Sequence, residues 1–556
     1  MTEAQSSDKL ECLRQQFGSM RTSRGTYESK WQREARYGSP NDMIFTSSLT
    51  PGETNKDQQY DSRAELALDE SSSFFKGGTT PDGQRWHGLE ADDINEDDNK
   101  ANNLILQGVE KSLFKYRYLP RANFSPARYE AVRTMKGFGT GIMYIGKGDT
   151  REVPIRYRHC HLSQCYATID NYDVVNGMFY VRGMSPMQII KEYGEDNVSD
   201  IIKEKASQKS TRGDQSDNTL IDVVNAVIEN NSFDPDGLNI KDARYSSYHF
   251  VLGGTSEDKF LRESGYHTFP YAVVRDRHTP NEIYGRGTLG RVLPEILQLN
   301  QMKRTHIKAG HNAVDPITLI TEGGSINPAH LRAGGIVRGG VDSQGRQTVV
   351  SLNKGERPDI SDSLMEQSNE IIERAFHLNV YISNALRDTN RERVTATEVN
   401  SIKQDQDRII GPQAARDEVE FLGPMVEREI DILAEWGGFL PDELEEIDFK
   451  IVYRGVLAMA RNSDQVIAVN QYIESVIGMA SVDPTIIHAA NFYEASKVIG
   501  EANGTPAQVM PSREEFEQRV SAEQQQQAQQ SLVENAGGLS QAADTLLGGG
   551  SLESGV

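Results

Sequence analysis

Cysteine and long apolar runs are both scarce in this chain. Only three of its 556 residues are cysteine, Cys12, Cys160 and Cys165, which is too few for a disulfide framework and typical of a protein made in a reducing cytoplasm. No run of about 18 apolar residues exists, which argues against a membrane span. The N-terminal stretch MTEAQSSDKLECLRQQF also lacks the basic and then apolar pattern of a secretory signal peptide.

Positive charge is the next thing in short supply. The sequence has 59 lysines and arginines against 81 aspartates and glutamates, which gives a net charge of −22. A protein dedicated to binding duplex DNA carries a basic footprint, so this balance argues against such a protein. It does not exclude a protein through which DNA passes without being held.

Metal and catalytic motifs are also missing. The best candidate for a zinc site is RHCHLSQC, which holds His159, Cys160, His161 and Cys165, because zinc takes four sulfur or nitrogen ligands. The run is strand-like, so alternate side chains should face opposite sides, and there is no second ligand pair. We interpret these residues as ordinary strand residues.

Two further patterns fail on closer reading. GFGTG at 137–141 lacks the lysine of a phosphate-binding loop and precedes a strand instead of a helix, so a tight helix-to-strand turn is expected. The acidic run 92–98 lacks the glycine of a calcium loop, so a solvated loop is expected. No nucleophile elbow or HExxH motif is present. The sequence therefore predicts no cofactor, no metal and no enzyme.

The periodicity of apolar residues predicts an α+β fold in which helices predominate. In the N-terminal half, helical spacing predicts two helices within 5–36 and others at 62–76, up to about 119, and 125–136. Short strands with a period of two follow from about 141 to 276, with a helix capped by Ser185 and Pro186 between them. Residues 205–218 are expected to be a polar linker.

The C-terminal half has a different organisation. A long helix, 285–313, contains Pro294, and a second helix runs from 362 to about 382; between them lies a small glycine-rich module. A helix from 396 to about 436 follows, in which two Gly-Pro pairs, 411–412 and 423–424, should cause bends. Residues 440–505 are expected to form a compact helical domain, and a glutamine-rich, low-complexity tail ends the chain.

A polar segment with three arginines, 383–393, precedes a strongly marked helix start. Thr395 and Glu398 stand at the spacing of a capping box, and Val394 and Val399 at that of a hydrophobic staple. A mobile surface loop would explain the charges alone. The firm helix start behind the loop favours a functional role.

Several stretches, in order along the chain, resemble the portal proteins, or head-to-tail connectors, of short-tailed, podovirus-type bacteriophages. These stretches are WQREARYGSPND (31–42), TTPDGQRWHGL (79–89), the turn and strand at 139–145, GMFYVRGMSPMQIIKEYG (177–194), FPYAVVRDRHTPNEIYGRGTLGRVLPEILQLNQM (269–302), RVTATEVNSIKQD (393–405), LGPMVEREIDILAEWG (422–437) and YRGVLAMARNSDQV (453–466). The resemblance covers about residues 5–505.

The resemblance implies a phage portal fold with a wing, a two-helix stem, an inserted clip and a helical crown. The implied segments are a wing with a helical and then a mixed α/β part (1–284), a stem helix (285–314), a clip (315–361), a returning stem helix (362–382), a tunnel loop (383–394), a long kinked wing helix (395–437), a crown (438–505) and a C-terminal barrel or flexible tail (506–556).

The resemblance also implies a function and partners. Such proteins form a ring, usually of twelve subunits, at one capsid vertex of the virion, and conduct double-stranded DNA during packaging and ejection. The implied partners are other copies of the chain, the DNA, the terminase large subunit, tail adaptor proteins, and the major capsid and scaffolding proteins, with no membrane. Assembly would take place in the host cytoplasm.

Three groups of site residues follow from the resemblance. The tunnel-loop candidates for the DNA channel are Asn384, Arg387, Asn390, Arg391 and Arg393. The channel-facing stem candidates are Lys303, Arg304 and Lys308, and the candidates for the terminase or tail interface on the clip are Arg332, Arg338 and Arg346. Two alternatives stay open: a tail or collar adaptor ring, and a metal-dependent nucleic-acid enzyme that uses the acidic run 92–98.

Overall fold

The structure is a computed structural model that divides the chain into two compact units. It describes residues 3–46, 59–91, 96–212, 220–230, 233, 242–253, 259–314, 318–320, 344, 349–351, 358–381, 409–441, 443–444, 447–480, 483–502, 511, 513, 515–523 and 525. The first unit comprises 1–82 and 115–437, and the second comprises 83–114 and 438–556. In these described ranges, no helix is long and apolar enough to cross a membrane. The expected α+β class is confirmed.

The first unit opens with one long helix, α1 (Glu3–Gly38), so the prediction of two helices within 5–36 was wrong. The reason is that α1 contributes apolar residues to two separate core clusters. Leu10 and Phe17 pack in one cluster, whereas Trp31 packs in another. When a single helix changes its packing partner along its length, its apolar pattern resembles that of two separate helices.

Two further helices of this unit are α2 (Arg63–Thr79) and α4 (Phe124–Phe138). The C-terminal end of a third helix, α3 (Glu96–Arg117), also belongs to it. α4 leads directly into the strand β2 (Thr140–Thr150) through Gly139, whose φ of +101° is unfavourable for other residues. A Cβ at Gly139 would come within 2.3 Å of the carbonyl oxygen of Gly285. The GFGTG run is therefore a tight helix-to-strand turn, as predicted.

Two antiparallel sheets complete the body of the first unit. One has the order β3-β2-β9, with β3 at Val153–His159 and β9 at Tyr271–Arg275. The other runs in the order β4-β5-β6-β7-β8. Its strands are Cys165–Ile169, Val175–Met184, Ile221–Glu229, Tyr245–Val251 and Arg262–Tyr266. All their pairings are antiparallel, so short connections suffice.

Two short helices lie between β5 and β6. In α5 (Pro186–Tyr193), Ser185 and Gln188 form a capping box and Pro186 stands at the first turn, so the predicted N-cap is confirmed. The second, α6 (Asp200–Arg212), continues to residue 212. The predicted polar linker at 205–218 is thus helical in its first half, because a polar helix gives no apolar periodicity by which to recognise it.

The predicted pair of long helices is present with shifted ends. The first, α7 (Thr288–Val314), contains Pro294; it begins three residues later than predicted because Gly285 is engaged in the contact with the turn at Gly139. The second, α8 (Pro358–Ala375), begins four residues early, at a proline suited to a first helical turn. It ends before His377, whose φ is +61°, and α9 (Leu378–Tyr381) follows.

Side-chain contacts show that α7 and α8 are antiparallel. Glu295 accepts a hydrogen bond of 3.3 Å from Ser368, and His306 lies 3.7 Å from Asp362. Where the two helices connect, β10 (Thr318–Ile320) pairs antiparallel with β11 (Val349–Ser351). The two ends of the glycine-rich segment therefore come together.

A helical run from 409 to 436, here called the long helix, closes the first unit. Residues 409–417 are α-helical, Glu418–Leu422 form a π-helical turn, and α10 (Gly423–Trp436) completes it. The irregularity falls directly before the second Gly-Pro pair, where a bend was expected. Gly437, with φ of +65°, ends the run as predicted.

The second unit joins distant parts of the sequence. The strand β1 (His87–Ala91) pairs antiparallel with β12 (Phe449–Tyr453), and α11 (Val456–Ala480) and α12 (Phe492–Ala502) follow. The expectation of helices alone in 440–505 therefore missed a strand. It also missed that residues 83–114 group with this C-terminal part, since a partner more than 350 positions away leaves no local pattern.

Candidate functional site

The predicted stem cations lie in the C-terminal half of α7. The first half of this helix buries Leu289, Val292, Ile296 and Leu299. Beyond that core, Arg304 and Lys308 are exposed and Lys303 is half-buried. Within the described ranges, none of these three forms an ion pair with a carboxylate.

Arg304 and Lys308 are four positions apart and therefore neighbours on one helix face. The guanidinium of Arg304 lies 5.7 Å from the centre of the Tyr60 ring. The two side chains thus present positive charge to solvent on the side of α7 away from its buried residues. This arrangement suits transient contact with an anionic partner.

The other predicted site residues lie outside the described residues. These are the tunnel-loop candidates Asn384, Arg387, Asn390, Arg391 and Arg393, the clip candidates Arg332, Arg338 and Arg346, and the helix start at 394–399. The structure does describe what flanks them. Ile409 lines the same cleft as Ala375 and His377, so the chain leaves α8 and returns to the long helix at one place.

The long helix is fastened to the body of the first unit by buried ion pairs. The guanidinium of Arg117 donates to the carboxylate of Glu429 at 2.5–3.1 Å, and the Tyr157 hydroxyl donates to the same carboxylate at 2.6 Å. Both charged side chains are fully buried. Although burial lowers the pKa of Arg117, the adjacent Glu429 raises it by more, so the arginine stays charged.

A second buried pair lies three helical turns earlier. Arg128, on α4, pairs with Asp417, and neither side chain is exposed. The guanidinium also lies 4.4 Å from the centre of the Phe421 ring, a favourable cation–π distance. Burial raises the pKa of Asp417 and Arg128 opposes that shift.

Further contacts continue along the same helix. Glu420 accepts from Arg275 at 2.9 Å, and Glu435 lies 3.2 Å from Lys147. Near the start of the helix, Gln413 links Lys136 to Asp276 by hydrogen bonds. Because the partners come from α4, the end of α3 and the strands β2, β3 and β9, the long helix is held over its described length. We call these contacts the helix ladder.

Sequence patterns did not reveal the helix ladder. Arg117 and Glu429 are 312 positions apart, and Arg128 and Asp417 are 289 apart. When its partner is so distant in the sequence, a charged residue on a helix is predicted to be exposed to solvent. Only the apolar setting of the segment LGPMVEREIDIL hinted that its charges were buried.

The rejected zinc cluster has structural roles. His161 caps a short helix by accepting from the backbone N–H of Ser163, and His159 contacts the Thr134 hydroxyl at 3.1 Å. The thiols of Cys160 and Cys165 are buried, and that of Cys160 lies 3.8 Å from the backbone carbonyl oxygen of Arg158. Within the described ranges, no three His, Cys, Asp or Glu side chains are placed to hold a metal ion.

Comparisons with known proteins agree with the resemblance seen in the sequence. The chain is 23% identical over 549 residues to the portal protein of Salmonella phage epsilon15, an alignment that covers 96% of this chain and 94% of that protein. It is 22% identical over 552 residues to the probable portal protein of Bordetella phage BPP-1, with 97% and 95% covered. The family model described as bacteriophage head to tail connecting protein matches residues 10–510. The chain therefore belongs to the family of bacteriophage head-to-tail connecting proteins.

Proposed function

We propose that this chain is the portal protein of a short-tailed bacteriophage. It forms a ring at one vertex of the capsid, conducts double-stranded DNA inward during packaging and outward during ejection, and joins the head to the tail. The family match over residues 10–510 carries this proposal. The antiparallel pair α7 and α8, with a module between them, supports it. The protein acts as a structural conduit and not as an enzyme.

The ring would consist of identical subunits joined by head-to-tail contacts, and we assign it twelve copies. In a ring of this kind one face of each subunit binds a different face of its neighbour, and the rotation closes on itself. Its partners are the terminase large subunit, tail adaptor proteins, and the major capsid and scaffolding proteins. Assembly takes place in the host cytoplasm.

The segments are assigned as the family resemblance implies. Residues 1–284 and 395–437 form the wing, 285–314 and 362–382 the stem, 315–361 the clip, 383–394 the tunnel loop, 438–505 the crown and 506–556 the C-terminal barrel or tail. The pairing of β10 with β11 at the base of the clip supports an insertion between the two stem helices. The clip candidates Arg332, Arg338 and Arg346 would meet the terminase or tail.

Scarce positive charge suits a conduit. Each phosphate that a protein neutralises strengthens its hold on DNA, so a channel lined by many cations would resist sliding. A net charge of −22 with a few cations at Lys303, Arg304 and Lys308 would instead give weak contacts that break readily. The arginines of the tunnel loop would add contacts at a second level of the channel.

The helix ladder gives the tunnel loop a rigid base. In the sequence, residues 383–394 lie between the stem and the long helix, whose described part is fixed by buried ion pairs. Because breaking a buried pair costs about 3–5 kcal/mol, the long helix would stay in place while the loop moves. Movement would then be confined to the loop.

A complementation experiment separates this function from the adaptor alternative. Phage particles made without the protein should contain no DNA, and the wild-type chain supplied in trans should restore packaged DNA. A tail or collar adaptor acts after packaging, so its loss would give particles that fill with DNA and then leak. Filled particles in the absence of the chain would contradict the portal assignment.

The enzyme alternative has its own test, because a nuclease using the acidic run 92–98 would need a divalent metal. Purified protein incubated with duplex DNA and Mg²⁺ or Mn²⁺ should leave the DNA intact. Cleavage that disappears when the aspartates of the run are replaced by asparagine would favour the enzyme.

A further inference from the structure

Two adjoining clefts in the first unit collect positive charge. One, of about 240 Å³, is lined by residues that include Lys136, Asp276, Arg277, His377 and Arg416. The other, of about 570 Å³, includes Arg291 and Arg374 and shares Ala375, His377 and Ile409 with the first. In a chain with a net charge of −22, such a concentration of cations in a concave place is unusual.

Among the described residues, two carboxylates line the clefts beside these cations, Asp276 in the smaller cleft and Glu295 in the larger one. Across the described ranges, Arg277, Arg291 and Arg374 have no ion-pair partner. The ammonium of Lys136 donates to the amide oxygen of Gln413, and Arg416 donates to the backbone carbonyl of Asp276 at 3.2 Å. The site therefore has several N–H donors and a surplus of positive charge, which is the composition of an anion site.

Electrostatic effects on two groups show that the cations converge. Burial raises the pKa of Asp276, and Lys136, Arg277, Arg416 and Arg291 oppose that shift. Burial, together with the charges of Lys136, Arg277 and Arg291, lowers the pKa of His377 to about 4. The same side chains thus act on both groups. The imidazole is neutral near pH 7 and can hydrogen-bond to a ligand without adding charge.

Asp276 distinguishes one kind of anion from another. It is 6% exposed; one carboxylate oxygen accepts from the amide of Gln413, whereas Oδ2 has no hydrogen-bond partner among the described residues. A buried acceptor without a partner is costly. An anion bound beside it must therefore bring a donor of its own, which the P–OH of a protonated phosphate has and sulfate near neutral pH lacks.

We propose that Lys136, Arg277, Arg291, His377 and Arg416, together with Asp276, form a binding site for a phosphate group that carries a P–OH. The arginines and the lysine bind the anionic oxygens, and Oδ2 of Asp276 accepts the hydrogen bond from the hydroxyl. Free inorganic phosphate has such a hydroxyl in both forms present near neutral pH, and a terminal phosphomonoester has it as the monoanion, below its second pKa of about 6. A phosphodiester in the DNA backbone has none.

Binding would tie together parts that are distant in the sequence. Lys136 belongs to α4, Asp276 and Arg277 follow β9, His377 follows α8, and Arg416 lies on the long helix. Because a ligand that binds only the folded state stabilises it, phosphate should raise the unfolding temperature of the protein in a saturable way.

The test is thermal unfolding and isothermal titration calorimetry of the full chain in chloride, sulfate or phosphate at equal ionic strength. Inorganic phosphate should bind at one site per chain and raise the unfolding temperature above that in sulfate. A phosphomonoester such as AMP, tested in the same way, shows whether the site also takes the terminal phosphate of a larger molecule. A short phosphodiester should have no effect. Equal effects of sulfate and phosphate would overturn the proposal.

Variants sharpen the test. Arg277→Gln should weaken phosphate binding about tenfold or more, and it removes no described contact of the side chain, so folding should be preserved. Arg121→Gln, at an exposed arginine of the same unit that lines neither cleft, is the control and should bind phosphate normally. Asp276→Asn should let sulfate bind as well as phosphate does. Unchanged binding by Arg277→Gln would also overturn the proposal.

Discussion

Arg117 and Glu429 form a fully buried ion pair of the helix ladder, and they illustrate what a single residue contributes. Both side chains are fully buried, and Tyr157 donates a further hydrogen bond to the carboxylate. Removing one charge leaves the other without a partner in an apolar setting, which is far more costly than the net value of the pair.

Glu429→Gln should therefore lower the free energy of unfolding of the first unit by about 3–5 kcal/mol, measured by denaturant titration. Glu435→Gln is the matched control, because that carboxylate is 31% exposed and pairs with an exposed lysine. Its other neighbour, Arg428 at 3.6 Å, keeps the closer Asp431 as its partner, so the cost should stay below about 1 kcal/mol. Equal costs for the two variants would contradict the role given to the buried pair.

The buried histidines predict a dependence on pH. Burial lowers the pKa of His159, His161 and His249 to about 4, whereas an unfolded histidine titrates near 6.5. Between these values the unfolded state binds more protons, so stability is full above pH 6.5 and falls as the pH drops toward 4. Glu34, whose pKa burial raises to about 7, acts in the opposite direction.

His249→Gln isolates one of these histidines. Between pH 6 and pH 4 the free energy of unfolding of the variant should fall less steeply than that of the wild type, by at most about 1.4 kcal/mol per pH unit. Denaturant titration at several pH values measures both slopes. Glutamine keeps an acceptor for the hydroxyl of Tyr193, which lies 3.0 Å from the imidazole. Identical slopes for wild type and variant would contradict the account.

At the scale of elements, mutation can test the function of the proposed tunnel loop. Replacing Arg387, Arg391 and Arg393 with alanine should leave ring assembly intact and should reduce packaged or retained DNA severalfold, because phosphate contacts in the channel are lost. The measurement is DNA content per particle after complementation.

A matched triple variant controls for lost charge in general. Arg36, Arg121 and Arg182 are exposed, and their replacement by alanine removes the same charge outside the proposed channel. This variant should package normally. Normal DNA content in the loop variant would contradict the tunnel-loop assignment.

The elements also show how far sequence patterns reach. The strands of the sheets, the pair α7 and α8, the cap at Ser185 and the turn at Gly139 follow from local periodicity and turn chemistry. The continuity of α1 does not, because its two apolar clusters face different partners. The start of α7 depends on the contact of Gly285 with the distant turn at Gly139, and the polar helix α6 has no apolar signal.

At the scale of the whole molecule, some features could be predicted from the sequence and others could not. The family and the α+β class followed from collinear stretches and periodicity. The grouping of residues 83–114 with the C-terminal part and the partners of the helix ladder did not, because each joins residues hundreds of positions apart. The charges of the phosphate site come from four separate segments and are likewise invisible in any one of them.

The net charge of −22 predicts a weak hold on DNA by the assembled protein. Binding of duplex DNA should be weak near physiological salt and should disappear as salt is raised, since few phosphates are neutralised. A fluorescence anisotropy titration at several salt concentrations measures both the affinity and the slope. Tight, salt-resistant binding would contradict a channel in which DNA slides.

Electron microscopy of the purified full-length protein shows directly whether the chain forms a ring through which DNA can pass. We expect closed rings of twelve subunits with a central channel wide enough for duplex DNA. Compact monomers across protein and salt concentrations, or rings whose centre is too narrow for the duplex, would contradict this expectation.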